Sequence, residues 1–285
     1  MPPRAPAWSI AVVLALATAG TAGGCRSSAE PTPPAIAPTN LDAAPEDPGA
    51  PGLDARADPP TIPDASPPAE VDARAEDAPL PYPGLNERYR ARPRARTWAA
   101  RFEREGREVY TRRKAILRNL HLRTGQDVAD VGAGTGLFTL PIAAAVGPEG
   151  KVYAVDLMPT FLAHIGERCR AAGVQNVTLV QSSARATGLA EGSIDLAFLS
   201  DSYHHLEDPA AILRSIRRAL RPGGELVILD FERIPGVSPS WVFDHVRAGK
   251  EVVLAEAEAA GFVRDPVEPE VDFLGENYFI RLRRG

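Results

Sequence analysis

Residues 128–140 read VADVGAGTGLFTL, and this stretch decides the fold. The run Asp127–Val131 is short and β-rich, three glycines follow at Gly132, Gly134 and Gly136, and a helical pattern opens at Leu137. A strand that ends in a glycine turn and restarts as a helix lets the backbone pass close to a ligand at the strand's carboxyl end, where the first helical N–H groups also point. A dinucleotide-binding turn needs its third glycine one position later, where Leu137 stands. A pyrophosphate cradle is therefore disfavoured, and an NAD-dependent oxidoreductase with it.

Downstream, the same alternation repeats. Lys151–Asp156, Val177–Gln181, Ile194–Ser200 and Glu225–Phe231 are candidate strands separated by helical segments, which predicts a mostly parallel sheet with helices on both faces. Pro159 and Pro209 suit first helical turns, Asp208 suits the cap before the second, and Pro222-Gly223-Gly224 is expected to close the helix Ala210–Leu220. Lys250–Ala260 reads as a helix ended by Gly261, and the segments near Val263–Val267 and Tyr278–Leu282 are expected to add a terminal antiparallel pair. Upstream, Trp98, Phe102, Val109, Ile116 and Leu120 keep helical spacing and predict a lead-in helix with arginines on its other faces.

The second strand sharpens the chemistry. It ends in Asp156, about twenty residues beyond the glycines, where a carboxylate can accept hydrogen bonds from both hydroxyls of a ribose, so strand-end acid and glycine turn together indicate a nucleoside ligand. With VADVGAGTGLFTL, VYAVDLMP (152–159), GSIDLAFLSDSYHHLEDP (192–209) and LRPGGELVILDFER (220–233) in this order, the chain resembles the class I S-adenosylmethionine-dependent methyltransferases. The resemblance spans residues 85–285 and implies an α/β, Rossmann-like fold with a seven-stranded, mostly parallel sheet and an antiparallel terminal strand. Within that class the chain looks most like a bacterial branch near the quinone and sterol C-methyltransferases.

On matching positions, the resemblance implies that Asp130, Gly132, Ala133, Gly134 and Gly136 hold the methionine portion of S-adenosyl-L-methionine. It implies that Asp156 takes the ribose, that Leu157 and Met158 pack on adenine, and that Ser183 and Ala184 stand at the adenine edge, where many members have an Asp instead of Ser183. The loop beyond the fourth strand would face the transferred methyl group, making Asp201, Tyr203, His204 and His205 the acceptor-side candidates. Either histidine can take a proton near neutral pH, or can instead serve the backbone and the cap of the following helix. Adjacent histidines are expected to point in different directions, so no metal is expected at Asp201, His204 and His205. The stretch 233–253, with Trp241, His245, Arg247 and Lys250, lies where family members build substrate lids.

The remaining sequence bounds the setting. Arg4, the apolar run Ile10–Ala19 and the small residues before Cys25 match an export signal over residues 1–25 and resemble a lipoprotein signal, with a membrane anchor at Cys25. Fifteen of the 28 prolines fall between Pro31 and Pro83 among acidic residues, so residues 26–84 are expected to be a disordered, semi-rigid linker. The expected location is the bacterial envelope, or the cytoplasm if the signal is not used. Cys169, the second of two cysteines, leaves no disulfide framework. Net charge is −5, and the arginine-rich segment 88–114 lacks an aromatic–basic platform, so the expected partner is a small-molecule or lipid-like acceptor and not nucleic acid. A non-catalytic, envelope-tethered binder of S-adenosylmethionine or S-adenosylhomocysteine is the alternative reading.

Overall fold

The computed structural model describes residues 78–92, 94–265 and 271–285. The signal-like segment, Cys25 and the linker up to residue 77 lie outside the described residues, as does the predicted strand end near Val267. Among the described residues no helix is long and apolar enough to cross a membrane.

Four short helices lead in: α1 (Glu87–Ala91), α2 (Ala95–Phe102), α3 (Glu108–Thr111) and α4 (Arg113–Asn119). The single lead-in helix read from the spacing is thus interrupted. Gly106 takes φ +90°, a conformation that a continuing helix cannot contain, and the break sends the apolar stripe to two places. Trp98 and Phe102 join an aromatic cluster with Tyr89 and Phe161, whereas Val109, Ile116 and Leu120 enter the main core.

The sheet strands are β1 (Val128–Val131), β2 (Val152–Asp156), β3 (Val177–Gln181), β4 (Ile194–Ser200), β5 (Leu220–Phe231), β6 (Phe262–Arg264) and β7 (Asn277–Arg284). They lie in the order β3-β2-β1-β4-β5-β7-β6, parallel from β3 to β5, with β7 antiparallel to both neighbours. Helices α5 (Thr139–Val146), α6 (Pro159–Ala172), α7 (Pro209–Ala219), α8 (Ser240–His245) and α9 (Lys250–Ala259) complete the chain.

Strand alternation sorts the core onto the two sheet faces. Leu196 and Phe198 of β4 and Val227 and Leu229 of β5 pack with α4 and α5, while Ala197, Leu199, Leu226 and Ile228 pack with α7 and α9. Punctuation works largely as read: Asp208 accepts the Ala211 amide at 3.0 Å to cap α7, Pro209 opens it, and Gly261 follows the end of α9 in the positive-φ region at +90°. One turn differs. Helix α7 stops at Ala219 and β5 already begins at Leu220, so Pro222-Gly223-Gly224 lies within an irregular stretch of that strand: β4 pairs Ile194 with Leu220 and next Leu196 with Glu225.

Candidate active site at the carboxyl edge of the sheet

Because β1 lies beside both β2 and β4, the connections after β1 and β4 leave the sheet at the point where strand order reverses, which is where such sheets open a crevice. Four buried carboxylates line that edge: Asp130 in β1, Asp156 ending β2, Asp201 just past β4 and Asp230 in β5.

The three glycines of the turn all have positive φ but meet different surroundings. A Cβ on Gly132 would lie 2.5 Å from Ser202 Cβ, so this residue lets the β1 and β4 loops touch. A Cβ on Gly136 would lie 2.9 Å from Ile165 of α6, so this residue serves helix packing. A Cβ on Gly134 would meet only the Gly132 carbonyl oxygen, at 3.9 Å, so there the backbone borders open space. Asp156 braces the turn, accepting the Gly134 amide at 2.7 Å and the Met158 amide at 2.8 Å.

Asp130 is 3% exposed and accepts the Thr139 hydroxyl at 2.6 Å. Burial pushes its carboxyl up to about 7, against the Thr139 hydrogen bond and helped by the charge of Asp156. Burial likewise raises Asp156 to about 6, opposed by the amides of Met158, Gly134 and Leu157. Among the described residues, the hydrogen-bond partners of these two acids are a hydroxyl and backbone amides, not basic side chains. A cationic ligand set over Gly134 fits this pair, because it would supply the missing positive charge next to open backbone.

The other cofactor candidates fall as follows. Leu157 and Met158 are half-buried, and Met158 packs against the Tyr89, Trp98 and Phe161 cluster. Ala133 is buried against Ile165, and Ala184 is half-buried. Ser183 is exposed, and its hydroxyl oxygen accepts the Arg185 and Ala186 amides at 3.2 and 3.0 Å, so it stabilises its own turn.

The acceptor-side candidates separate. Asp201, at φ +46°, accepts from Arg107 at 2.5 Å and from Asn277 Nδ2 at 2.7 Å. Burial raises its carboxyl to about 6 even though Arg107 opposes this. Tyr203 turns into the core on the other side: it is 1% exposed, and its hydroxyl donates to Glu256 at 2.7 Å, a carboxylate also clamped twice by Arg247. The sequence-based role for Tyr203 at the acceptor wall is therefore corrected to a packing role, dictated by the 3-10 turn Tyr203–His205, which throws successive side chains to different sides.

His204 and His205 stay together, with ring centroids 4.2 Å apart, and do not diverge as expected for adjacent residues. His245 of α8 joins them at 4.9 Å and 5.1 Å. His204 Nδ1 lies 2.7 Å from Asp230, and His205 Nε2 lies 3.1 Å from the Tyr89 hydroxyl. Neither histidine caps α7. Burial, reinforced by the neighbouring His204, holds His205 well below the usual histidine range and brings His245 down to about 3, so both rings are neutral. Trp241 stands edge-on to Phe231 at 5.0 Å and closes this wall.

The residues before β1 fold over the same edge. Glu207 holds them from below, accepting Arg90 at 3.1 and 2.9 Å and the Gly84 amide at 3.1 Å, while Asn86 donates to the His205 carbonyl at 3.0 Å. Glu103 links Arg168 at 2.5 Å to Thr135 of the glycine turn at 2.8 Å. Sequence reasoning missed Tyr89, Arg107, Glu207 and Asp230 as site residues. Only Asp230 carried a usable signal, an acid near the end of a strand like Asp130 and Asp156. Cys169 is buried on α6, and burial raises its thiol.

This arrangement is similar to that of class I, S-adenosylmethionine-dependent methyltransferases, and residues 129–228 match the family described as "Methyltransferase domain". The chain is 31% identical over 118 residues to a demethylmenaquinone methyltransferase of Geobacillus stearothermophilus, an alignment covering 41% of this chain and 50% of that protein. It is 35% identical over 113 residues to a ubiquinone/menaquinone biosynthesis C-methyltransferase of Pasteurella multocida, covering 39% of this chain and 42% of that protein. The chain thus spans half or less of the length of these relatives. Its fold is similar to that of an S-adenosylmethionine-dependent methyltransferase from Aquifex aeolicus, with a TM-score of 0.53 and 24% identity over 60% of this chain and 89% of that one.

Proposed function

We propose that the chain binds S-adenosylmethionine across the carboxyl ends of β1 and β2 and transfers its methyl group to a small-molecule or lipid-like acceptor held against His204, His205, Trp241 and His245. The observation that supports this most is the pair of buried acids, Asp130 and Asp156, beneath an open Gly134. S-adenosylmethionine carries a sulfonium and an ammonium charge beside a ribose, which matches that pair in sign and hydrogen-bonding type.

When bound, the cofactor supplies an electrophilic methyl carbon: the acceptor's electron pair forms the new bond, and the carbon–sulfur pair returns to sulfur. The chain's own residues then have three tasks. Asp156 and the Gly134 backbone orient the nucleoside, the aromatic cluster around Tyr89 and Trp98 keeps water from the adenine side, and the histidine wall fixes the acceptor's approach. The demethylated quinones implied by the names of the relatives are one acceptor class of the right chemistry. The segment before residue 78 carries the signal-like sequence that supports an envelope-tethered enzyme.

Calorimetry with S-adenosylmethionine tests the cofactor half of this proposal. Saturable binding that Asp156→Ala weakens at least tenfold supports it, and no binding at roughly millimolar ligand overturns it. Transfer of a deuterated methyl group to a metabolite extract then tests turnover. Cofactor binding without any labelled product would favour the non-catalytic binder.

A further inference from the structure

We infer that His204, His205 and His245 form a binding site for a divalent transition-metal ion of the zinc type, independent of whether the domain transfers methyl groups. The three side chains come from the turn beyond β4 and the end of α8, and one ring nitrogen from each lies within 4.8 Å of the others.

Two features orient the rings toward a shared ion. Asp230 has only acceptor oxygens, so His204 Nδ1 carries its proton toward that carboxylate, and the lone pair is left on Nε2. A carboxylate behind an imidazole is the arrangement that fixes the tautomer and raises the basicity of histidine ligands in metal sites. The Arg88 guanidinium has only donors, so His245 Nε2, 3.1 Å from it, presents a lone pair to a cation already. His205 adds a third point: its Nδ1 is buried with no hydrogen-bond partner, while Nε2 faces the Tyr89 hydroxyl.

Three imidazoles with a further open position are the donor set of zinc, cobalt or nickel and not of magnesium or calcium, which take oxygen ligands. At a metal–nitrogen length of about 2.0–2.1 Å, tetrahedral donors stand about 3.4 Å apart, so the trio must contract by about 1.4 Å at its widest. Helix α8 has six residues and follows the exposed segment 234–237, which lets His245 move inward. The contact of Arg88 with His245 is exposed, so its guanidinium can leave as the ion enters.

The test is a titration of the untagged full chain, stripped with a chelator and free of methyl donor, with Co2+ followed by visible absorption and then with Zn2+ in competition. One ion per chain is expected, with d–d bands that zinc removes. His245→Gln should weaken binding at least tenfold, Asp230→Asn about tenfold, and Arg88→Gln should tighten it severalfold by removing the competing cation. His245 is half-buried, so its replacement leaves the fold intact by circular dichroism, and it carries the decision if a His204 variant fails to fold. Absence of a saturable band, or equal affinity in His245→Gln, overturns the inference. S-adenosylmethionine binding measured separately fails or succeeds independently of this result.

Discussion

Asp230 holds His204 at two points, accepting the ring Nδ1 at 2.7 Å and the backbone amide at 3.1 Å, so one carboxylate fixes both the position and the orientation of the turn beyond β4. Both side chains are under 5% exposed. Asp230→Asn puts an amide donor opposite a ring N–H inside the core and leaves a buried donor unsatisfied. We expect it to lower stability by about 2–3 kcal/mol in urea unfolding. An unchanged midpoint would show that the pair is not what anchors the loop.

Arg107 plays the corresponding part for Asp201. That residue has a side chain only 3% exposed and a backbone in the left-handed region, so its charge and its conformation both depend on outside support. Arg107→Met leaves the carboxylate facing Asn277 alone, a buried charge without its cation. The expected cost is roughly 3 kcal/mol, with faster tryptic cleavage between residues 88 and 114, because Arg107 also ties that segment to the sheet edge. Wild-type rates of cleavage in the variant would argue that the segment is held without Arg107.

The parallel sheet was readable because each strand is a short buried run followed by a turn signal, and the residues from Asp130 to Asp156 share one local grammar of strand, glycine and acid. The cap at Asp208 was readable for the same reason. What the sequence did not disclose is contact made at long range. Tyr89 reaches His205 across 116 residues and Arg107 reaches Asp201 across 94, and no spacing rule connects such positions. Tyr203 was misread because adjacency to two histidines says nothing about which way a 3-10 turn throws each side chain.

The raised acids give a sign to the pH dependence. Burial raises the Asp130 and Asp156 carboxyls to about 7 and about 6, so in the free protein their contribution to folding is fully present below about pH 4 and is lost as pH rises from there through about 7. A cationic ligand favours the ionised forms. Affinity for S-adenosylmethionine should therefore rise between pH 5 and pH 8, and the thermal midpoint of the free protein should gain in Asp130→Asn relative to wild type at pH 8, by about 2–5 °C. Calorimetry across that range checks the first expectation and scanning calorimetry the second. An affinity that falls with pH would contradict the electrostatic account.

The glycine turn separates folding from binding most sharply. Gly132 and Gly134 both have positive φ, at +72° and +55°, so alanine at either pays a similar backbone penalty of about 1–2 kcal/mol. Their surroundings differ. At position 132 the new methyl group would lie 2.5 Å from Ser202 Cβ and 2.8 Å from its Oγ, and Ser202 is tied to the Val131 carbonyl, so the β1 and β4 loops must part. At position 134 the methyl group enters open space beside Asp156. Gly132→Ala should consequently unfold at markedly lower denaturant than Gly134→Ala, whereas Gly134→Ala should stay folded and lose at least tenfold in S-adenosylmethionine affinity. If Gly134→Ala bound the cofactor as the wild type does, the cofactor could not lie along this turn, because the methyl group would occupy the space through which it has to pass.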